Sequence, residues 1–273
     1  MVRQAECVEF LQWCLPQLRM RWRGFRKVRS QVCKRIGRRL GALGLEGFDA
    51  YRKYLESHEE EWTRLDAMCR ITISCFFRDH GVFEALETEV LPALAAAAVE
   101  RGDRRLRIWS CGCASGEEVY SFIVLWEARV AEREPRIELE VVATDADPGM
   151  LERARRGVYD SGSIRELPID LRRAAFEGAG EPYRVRNLLR ERVSWACQDV
   201  RDGTPSGPFD LILCRNLVLT YFEEALQLEV MKRVVEALRR GGALVIGSHE
   251  GLPPHDIGCG AWSGRPSIFR KST

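Results

Sequence analysis

The chain has 273 residues, 45% of them hydrophobic and 30% charged, with a formal net charge of +2. That length suits one large domain, or a catalytic domain with a small companion, and the apolar content suffices for a core. The charge is too small to demand nucleic acid or a membrane surface as partner, and the apolar run 90–99, interrupted by Pro92, is far short of a bilayer span.

Residues 1–70 read as helices only. Glu9, Phe10, Trp13 and Leu15 begin an amphipathic stretch that stops near Pro16. Val28, Val32, Ile36, Leu40 and Leu43 follow helical spacing, and Gly44 is placed to end that helix. Phe48, Tyr51 and Tyr54 predict a further short helix. From Arg19 to Arg39 there are ten basic residues and no acidic one, a run suited to an acidic partner or to a solvated basic helix. The expectation is a small all-helical domain with a basic surface. Ten cysteines, at 7, 14, 33, 69, 75, 111, 113, 197, 214 and 259, include no CxxC pair. They read as free thiols of a cytoplasmic protein, with no metal site and no leader peptide.

After residue 70 the pattern changes. Residues 106–110, 139–144, 209–214 and 243–247 are short apolar runs, and helices are predicted over 117–130, 150–156 and 223–239. Apolar strands alternating with helices imply a mostly parallel sheet covered on both faces. Residues 157–200 break the rhythm with several glycines and prolines. Tyr183-Arg-Val185 and Val193-Ser-Trp195 read there as short antiparallel strands of an inserted β-subdomain. The fold class expected is α/β: a doubly wound, Rossmann-like sheet over residues 71–273 carrying that insertion, preceded by the helical domain 1–70.

In such a sheet the ligand lies beyond the carboxyl ends of the strands. The first end carries Ser110-Cys-Gly-Cys-Ala-Ser-Gly-Glu-Glu118, whose glycines let the backbone approach a ligand closely. A phosphate site would favour a lysine; Glu117 and Glu118 instead suit a cationic amino-acid group. S-adenosylmethionine carries an ammonium and a sulfonium, so the loop favours it over a dinucleotide. Asp145, at the next strand end, is placed to accept hydrogen bonds from ribose hydroxyls, with Asp147 as the competing acid or a helix cap.

Five segments together resemble the chemotaxis receptor methyltransferase (CheR-type) family: Ile71-Thr-Ile-Ser-Cys-Phe-Phe-Arg-Asp79, Trp109-Ser-Cys-Gly-Cys-Ala-Ser-Gly-Glu-Glu118, Ala143-Thr-Asp-Ala-Asp147, Phe209-Asp-Leu-Ile-Leu-Cys-Arg-Asn216 and Gly241-Gly-Ala-Leu-Val-Ile-Gly247. The resemblance implies a class I methyltransferase fold that O-methylates receptor glutamates with S-adenosylmethionine. It assigns cofactor contacts to Thr72, Ser74, Arg78, Gly112, Glu117, Asp145, Asp199, Val200, Asn216 and Leu217. It places Arg78 beside the methyl-transfer site as well, with Tyr221 as a second catalytic candidate. It also implies that the basic run 19–39 faces an acidic substrate helix and that the insertion 157–200 docks a receptor tail. The family commonly has Asn at the positions of Thr72 and Asp199. One residue more than usual separates Cys214-Arg-Asn216 from Tyr221-Phe222, and His249 interrupts the usual Ser-Glu after the last strand. These departures keep open a different methyl acceptor, with His249 or Tyr221 as a base, or a cofactor-binding regulatory module without turnover. A glutamate carboxylate, already ionised at neutral pH, needs no base.

Overall fold

The computed structural model describes residues 4–178 and 180–272. Residues 1–3 and 273, the outer ends of the two expected domains, and residue 179 within the insertion lie outside the described residues. The chain divides into two compact units, one of Met1–Ile71 with Val218–Gln227, the other of Thr72–Leu217 with Leu228–Thr273.

The first unit is helical: α1 (Gln4–Gln17), α2 (Trp22–Phe25), α3 (Arg29–Leu43), α4 (Phe48–Ser57), α5 (Glu59–Cys69) and the short helix Val218–Tyr221. The spacing of Val32, Ile36 and Leu40 buries one stripe of α3, and Gly44 takes the left-handed conformation that ends it. Phe10 packs against Phe48 and Tyr51 at ring-centroid separations of 5.1 and 5.5 Å. Beneath these rings lies a buried charge: Arg39 donates to both oxygens of Glu61 at 2.8 and 2.6 Å, and the Tyr51 hydroxyl donates to Glu61 at 2.8 Å.

One expectation is corrected here. Cys7 on α1 and Cys33 on α3 form a disulfide, and the other eight cysteines are free. The two residues are 26 apart in sequence, and helix packing brings their Cα atoms to 6.0 Å. No local motif announces a pair made this way.

In the second unit, α6 (His80–Ala85) runs through a π-helical turn into α7 (Leu91–Glu100). Seven strands then form one sheet in the order β6-β2-β1-β7-β8-β10-β9. They are β1 (Arg105–Cys111), β2 (Glu138–Asp145), β6 (Val193–Cys197), β7 (Phe209–Leu213), β8 (Leu238–Val245), β9 (Cys259–Trp262) and β10 (Arg265–Lys271). The first five are parallel. β7 lies mid-sheet and every one of its residues is buried, as expected for a strand covered on both faces. α8 (Glu117–Leu125) follows β1, and α9 (Pro148–Arg156) follows β2.

β3 (Val158–Tyr159), β4 (Phe176–Glu177) and β5 (Tyr183–Val185) make a separate antiparallel sheet, with α10 (Ile169–Ala175) before β4 and α11 (Asn187–Arg190) after β5. Val193-Ser-Trp195 does not join it: β6 is the parallel edge strand of the main sheet, Val141 opposite Val193 and Asp145 opposite Cys197. The helix expected to reach residue 239 stops at Glu236, because Leu238 pairs with Phe209 and opens β8. The hairpin β9–β10 has no counterpart in the sequence reading. Its two-residue turn, Ser263 at φ +43° and Gly264 at φ +73°, has both residues left-handed, as the twist of a tight hairpin requires.

Two outcomes follow. Thiol titration of the denatured, unreduced protein should count eight free cysteines and, after reduction, ten; ten before reduction would remove the Cys7–Cys33 bond. In addition, the Arg39 hydrogen bond holds the Glu61 carboxyl below its ordinary 4.5, overcoming the upward push of burial. A carboxyl depressed in the folded state adds stability above its unfolded value and loses it as pH falls through the folded one. Glu61→Gln should therefore cost about 1–3 kcal/mol at pH 7 and flatten the acid limb of the stability profile below about pH 4.5. An acid limb equally steep in the variant would place that pH dependence elsewhere.

Candidate active site

The parallel strands end in a row, Cys111 beside Thr144 and Asp145 beside Cys197, with Leu213 beside Val245. β1 sits between β2 and β7, so the chain's path reverses there, where a doubly wound sheet opens a crevice for a ligand. The loop leaving β1 is anchored to β2: Gly112 N and Cys113 N donate to the Thr144 carbonyl at 2.8 and 3.0 Å, and Ala114 N to Asp145 Oδ2 at 2.8 Å. Gly112 is left-handed at φ +76°, a conformation that favours glycine, and a Cβ there would lie 2.5 Å from Leu217 Cδ2 and push that side chain aside.

The two competing acids separate cleanly. Asp145 accepts from Ala114 N and, through Oδ1, from Asp147 N at 2.9 Å, which fixes its carboxylate at the end of β2. Asp147 accepts from Gly149 N and Met150 N at 2.8 and 3.2 Å and caps α9.

Glu117 is 2% exposed and accepts from the Ser115 hydroxyl at 2.8 and 3.0 Å. It forms no salt bridge among the described residues. A buried carboxylate without a counter-charge is costly, and an ammonium-bearing ligand would offset that cost. The S-adenosylmethionine expected from the loop therefore fits the residues present. Glu118 is different: it accepts from Ser110 Oγ at 2.8 Å and from Arg215 at 3.1 Å.

Thr72 and Ser74 lie half-buried on an irregular segment that leads into Phe76 and Phe77. Phe76 N donates to Ser163 O at 2.9 Å, and its ring meets Tyr159 and Phe176 edge-on. Phe77 N donates to the Ser121 hydroxyl at 2.9 Å. The Arg78 guanidinium donates to Ile73 O at 3.1 Å and makes no salt bridge among the described residues. Its neighbour Asp79 is held by Arg215 at 2.8 Å. Burial raises the Asp79 carboxyl, but the Arg215 charge and hydrogen bonds from Ser248 and Arg215 outweigh it and keep the group low.

After β7, Asn216 is left-handed at φ +53°, and its N–H shares Glu250 Oε2 with the Gly247 N–H, at 2.9 and 2.7 Å. After β6, Asp199 accepts from Arg201 N, Nε and Nη2 at 2.9, 3.0 and 2.7 Å, with Val200 buried beside it. His249 is exposed. Tyr221 belongs to the first unit, its ring 5.2 Å from that of Phe25. The Cys111 thiol is pushed up by its hydrogen bond with Cys214 and by burial, and Cys113 by burial, so both stay neutral and offer no thiolate.

Gly112, Glu117, Asp145, Asp199, Val200, Asn216 and Leu217 thus lie along one edge of the sheet, and Thr72, Ser74 and Arg78 belong to the same unit. The sequence reading missed Arg215, Ser121, Glu250 and Tyr159, whose hydroxyl donates to Ser115 O at 2.6 Å. Of these, Arg215 carried a signal as the middle residue of Cys214-Arg-Asn216, and Glu250 as the acid that follows His249.

A doubly wound sheet whose first strand ends in an acidic glycine loop, with an acid at the end of the second, defines an S-adenosylmethionine-dependent methyltransferase. The family described as CheR methyltransferase, SAM binding domain, matches residues 72–261, and the CheR methyltransferase all-alpha domain matches residues 27–66. A protein of Listeria monocytogenes named chemotaxis protein methyltransferase is 35% identical over 77% of this chain and 78% of its own length. Proteins of the same name from Escherichia coli and Salmonella typhimurium are 34% and 32% identical, each over 81% of this chain and 76% of their own length. The chain belongs to the CheR family of methyltransferases. No helix among the described residues is long and apolar enough to cross a membrane.

The separation of the two acids gives opposite outcomes for two substitutions. Asp145→Ala should weaken S-adenosylhomocysteine binding at least about tenfold, read by calorimetry. Asp147→Ala should instead cost about 1 kcal/mol of stability through the lost helix cap and leave that affinity within about twofold. Equal affinity losses in the two variants would refute the assignment.

Proposed function

We propose that this methyltransferase esterifies glutamate side chains on an acidic helix of a chemoreceptor in the cytoplasm. The observation that carries the reading is Arg78, a guanidinium without a salt bridge among the described residues, on the segment that leads into the site. Asp79, the carboxylate next to it, is already taken by Arg215. A planar guanidinium in that condition suits an anionic acceptor. The names of the relatives support the same acceptor class.

In this reading Thr72, Ser74, Gly112, Glu117, Asp145, Asp199, Val200, Asn216 and Leu217 hold the cofactor, Glu117 taking its ammonium and Asp145 its ribose hydroxyls. Bound S-adenosylmethionine supplies a methyl on a positively charged sulfur, transferred as a carboxylate oxygen forms the O–C bond and the S–C bond breaks. Arg78 orients the acceptor carboxylate beside that methyl. No proton has to be removed, so alignment and exclusion of water are the protein's main tasks. The helical unit supplies Arg23, Arg26, Lys27, Lys34 and Arg38, all exposed and without a salt bridge among the described residues, as a surface for an acidic helix.

Methyl-labelled S-adenosylmethionine, incubated with the enzyme and a chemoreceptor cytoplasmic fragment, should place base-labile label on receptor glutamates. Reversing the charge of Arg26 and Lys34 should raise the KM for the receptor several-fold with little change in cofactor affinity. Base-stable label, or no transfer to any receptor, would overturn the glutamate reading.

A further inference from the structure

Arg78 sits between two non-glycine residues in the left-handed region, Phe77 at φ +55° and Asp79 at φ +63°. L-residues hold that conformation only where surrounding contacts impose it. Ser121 Oγ supplies one, accepting from Phe77 N at 2.9 Å. Arg215 supplies three more: its Nη2 donates to the Arg78 carbonyl and to Asp79 Oδ2, both at 2.8 Å, and its Nη1 to Glu118 Oε2 at 3.1 Å. Glu118 in turn accepts from Ser110 Oγ at 2.8 Å. One guanidinium, following β7, therefore joins the Arg78 loop to the end of β1 and the start of α8.

The Arg215 side chain is 3% exposed, and its buried Nε has no hydrogen-bond partner among the described residues. A buried charge with an unmatched donor is a poor stabilising device compared with an apolar side chain of the same size. Its value lies in what it places. It also occupies Asp79, the carboxylate adjacent in sequence to Arg78. Without Arg215, the partly buried Asp79 would lose its ion-pair partner and keep the Ser248 hydrogen bond, and Arg78 would be the nearest cation in sequence able to pair with it.

We infer that Arg215 is a positioning residue for methyl transfer: it fixes the backbone of the Arg78 loop and sequesters Asp79, so that the Arg78 guanidinium stays available to the site. The inference rests on the reading of Arg78 as a cofactor- and acceptor-facing residue, but not on the identity of the acceptor.

The test is a double-mutant cycle read by calorimetric binding of S-adenosylhomocysteine to the full chain. Arg215→Gln should weaken binding about tenfold when Arg78 is present and by less than about twofold in an Arg78→Ala background. Asp79→Asn, which removes the competing charge, should restore part of the loss in Arg215→Gln. Equal losses from Arg215→Gln in both backgrounds overturn the inference while leaving the Arg78 reading intact. An Arg78→Ala variant of unchanged affinity overturns both. If Arg215→Gln fails to fold by circular dichroism, Arg215→Lys takes its place: it keeps a buried charge but cannot bridge three acceptors, and the same pattern is expected of it.

Discussion

The site depends on one carbonyl, that of Thr144. Gly112 N and Cys113 N both donate to it, so the loop leaving β1 is drawn sideways over the end of β2 instead of continuing along its own strand. Everything else at this edge is fitted to that turn. Ala114 N reaches Asp145, the Tyr159 hydroxyl holds Ser115 O, and Leu217 closes against Gly112. The acids proposed to face the ligand are therefore held in place by the fold itself, an arrangement that lowers the ordering cost of binding.

The two ends of the sheet treat buried carboxylates in opposite ways. At the N-terminal end of β7, Asp210 is 2% exposed in its side chain and fully matched: Arg101 and Arg239 each donate at 2.9 Å, and so does Arg107 N. At the carboxyl end, Glu117 is as deeply buried but receives, among the described residues, a serine hydroxyl and no salt bridge. The first arrangement neutralises itself inside the protein and has the character of a structural pair. The second has no counter-charge among the described residues, the condition that motivates its proposed pairing with a ligand ammonium. The near-neutral composition concealed this difference, since the net charge says nothing about which acids are matched.

The parts of the fold legible in sequence were those governed by local periodicity. The helical stripe of α3, the buried run of β7 and the glycine loop each carry their signal within a dozen residues. The parts that were not legible are decided by partners distant in the chain. β6 looked like a piece of the small antiparallel sheet because a short strand does not announce which strand it will pair with. The β9–β10 hairpin was hidden because Ser263-Gly264 is a weaker turn signal than Asn-Gly, and the strands flanking it are irregular. At the site, Asp145 and Asp147 were indistinguishable until hydrogen bonds separated the acid that anchors the β1 loop from the helix cap. Arg215 was legible as a motif residue but not as a clamp, since Asp79 lies 136 positions away.

The departures from the family pattern also acquire a physical meaning. An aspartate where the family commonly has asparagine adds a negative charge to the end of β6. Arg201, two residues on, meets it with two guanidinium nitrogens and its own N–H. In this chain the added charge is therefore met where it arises, by a cation two residues away. His249 is likewise accommodated. It is exposed, and the next residue, Glu250, still turns inward to hold Asn216 N and Gly247 N. The acid beside the histidine thus joins the ends of β7 and β8. A carboxylate acceptor, already an anion, asks for no base at either position.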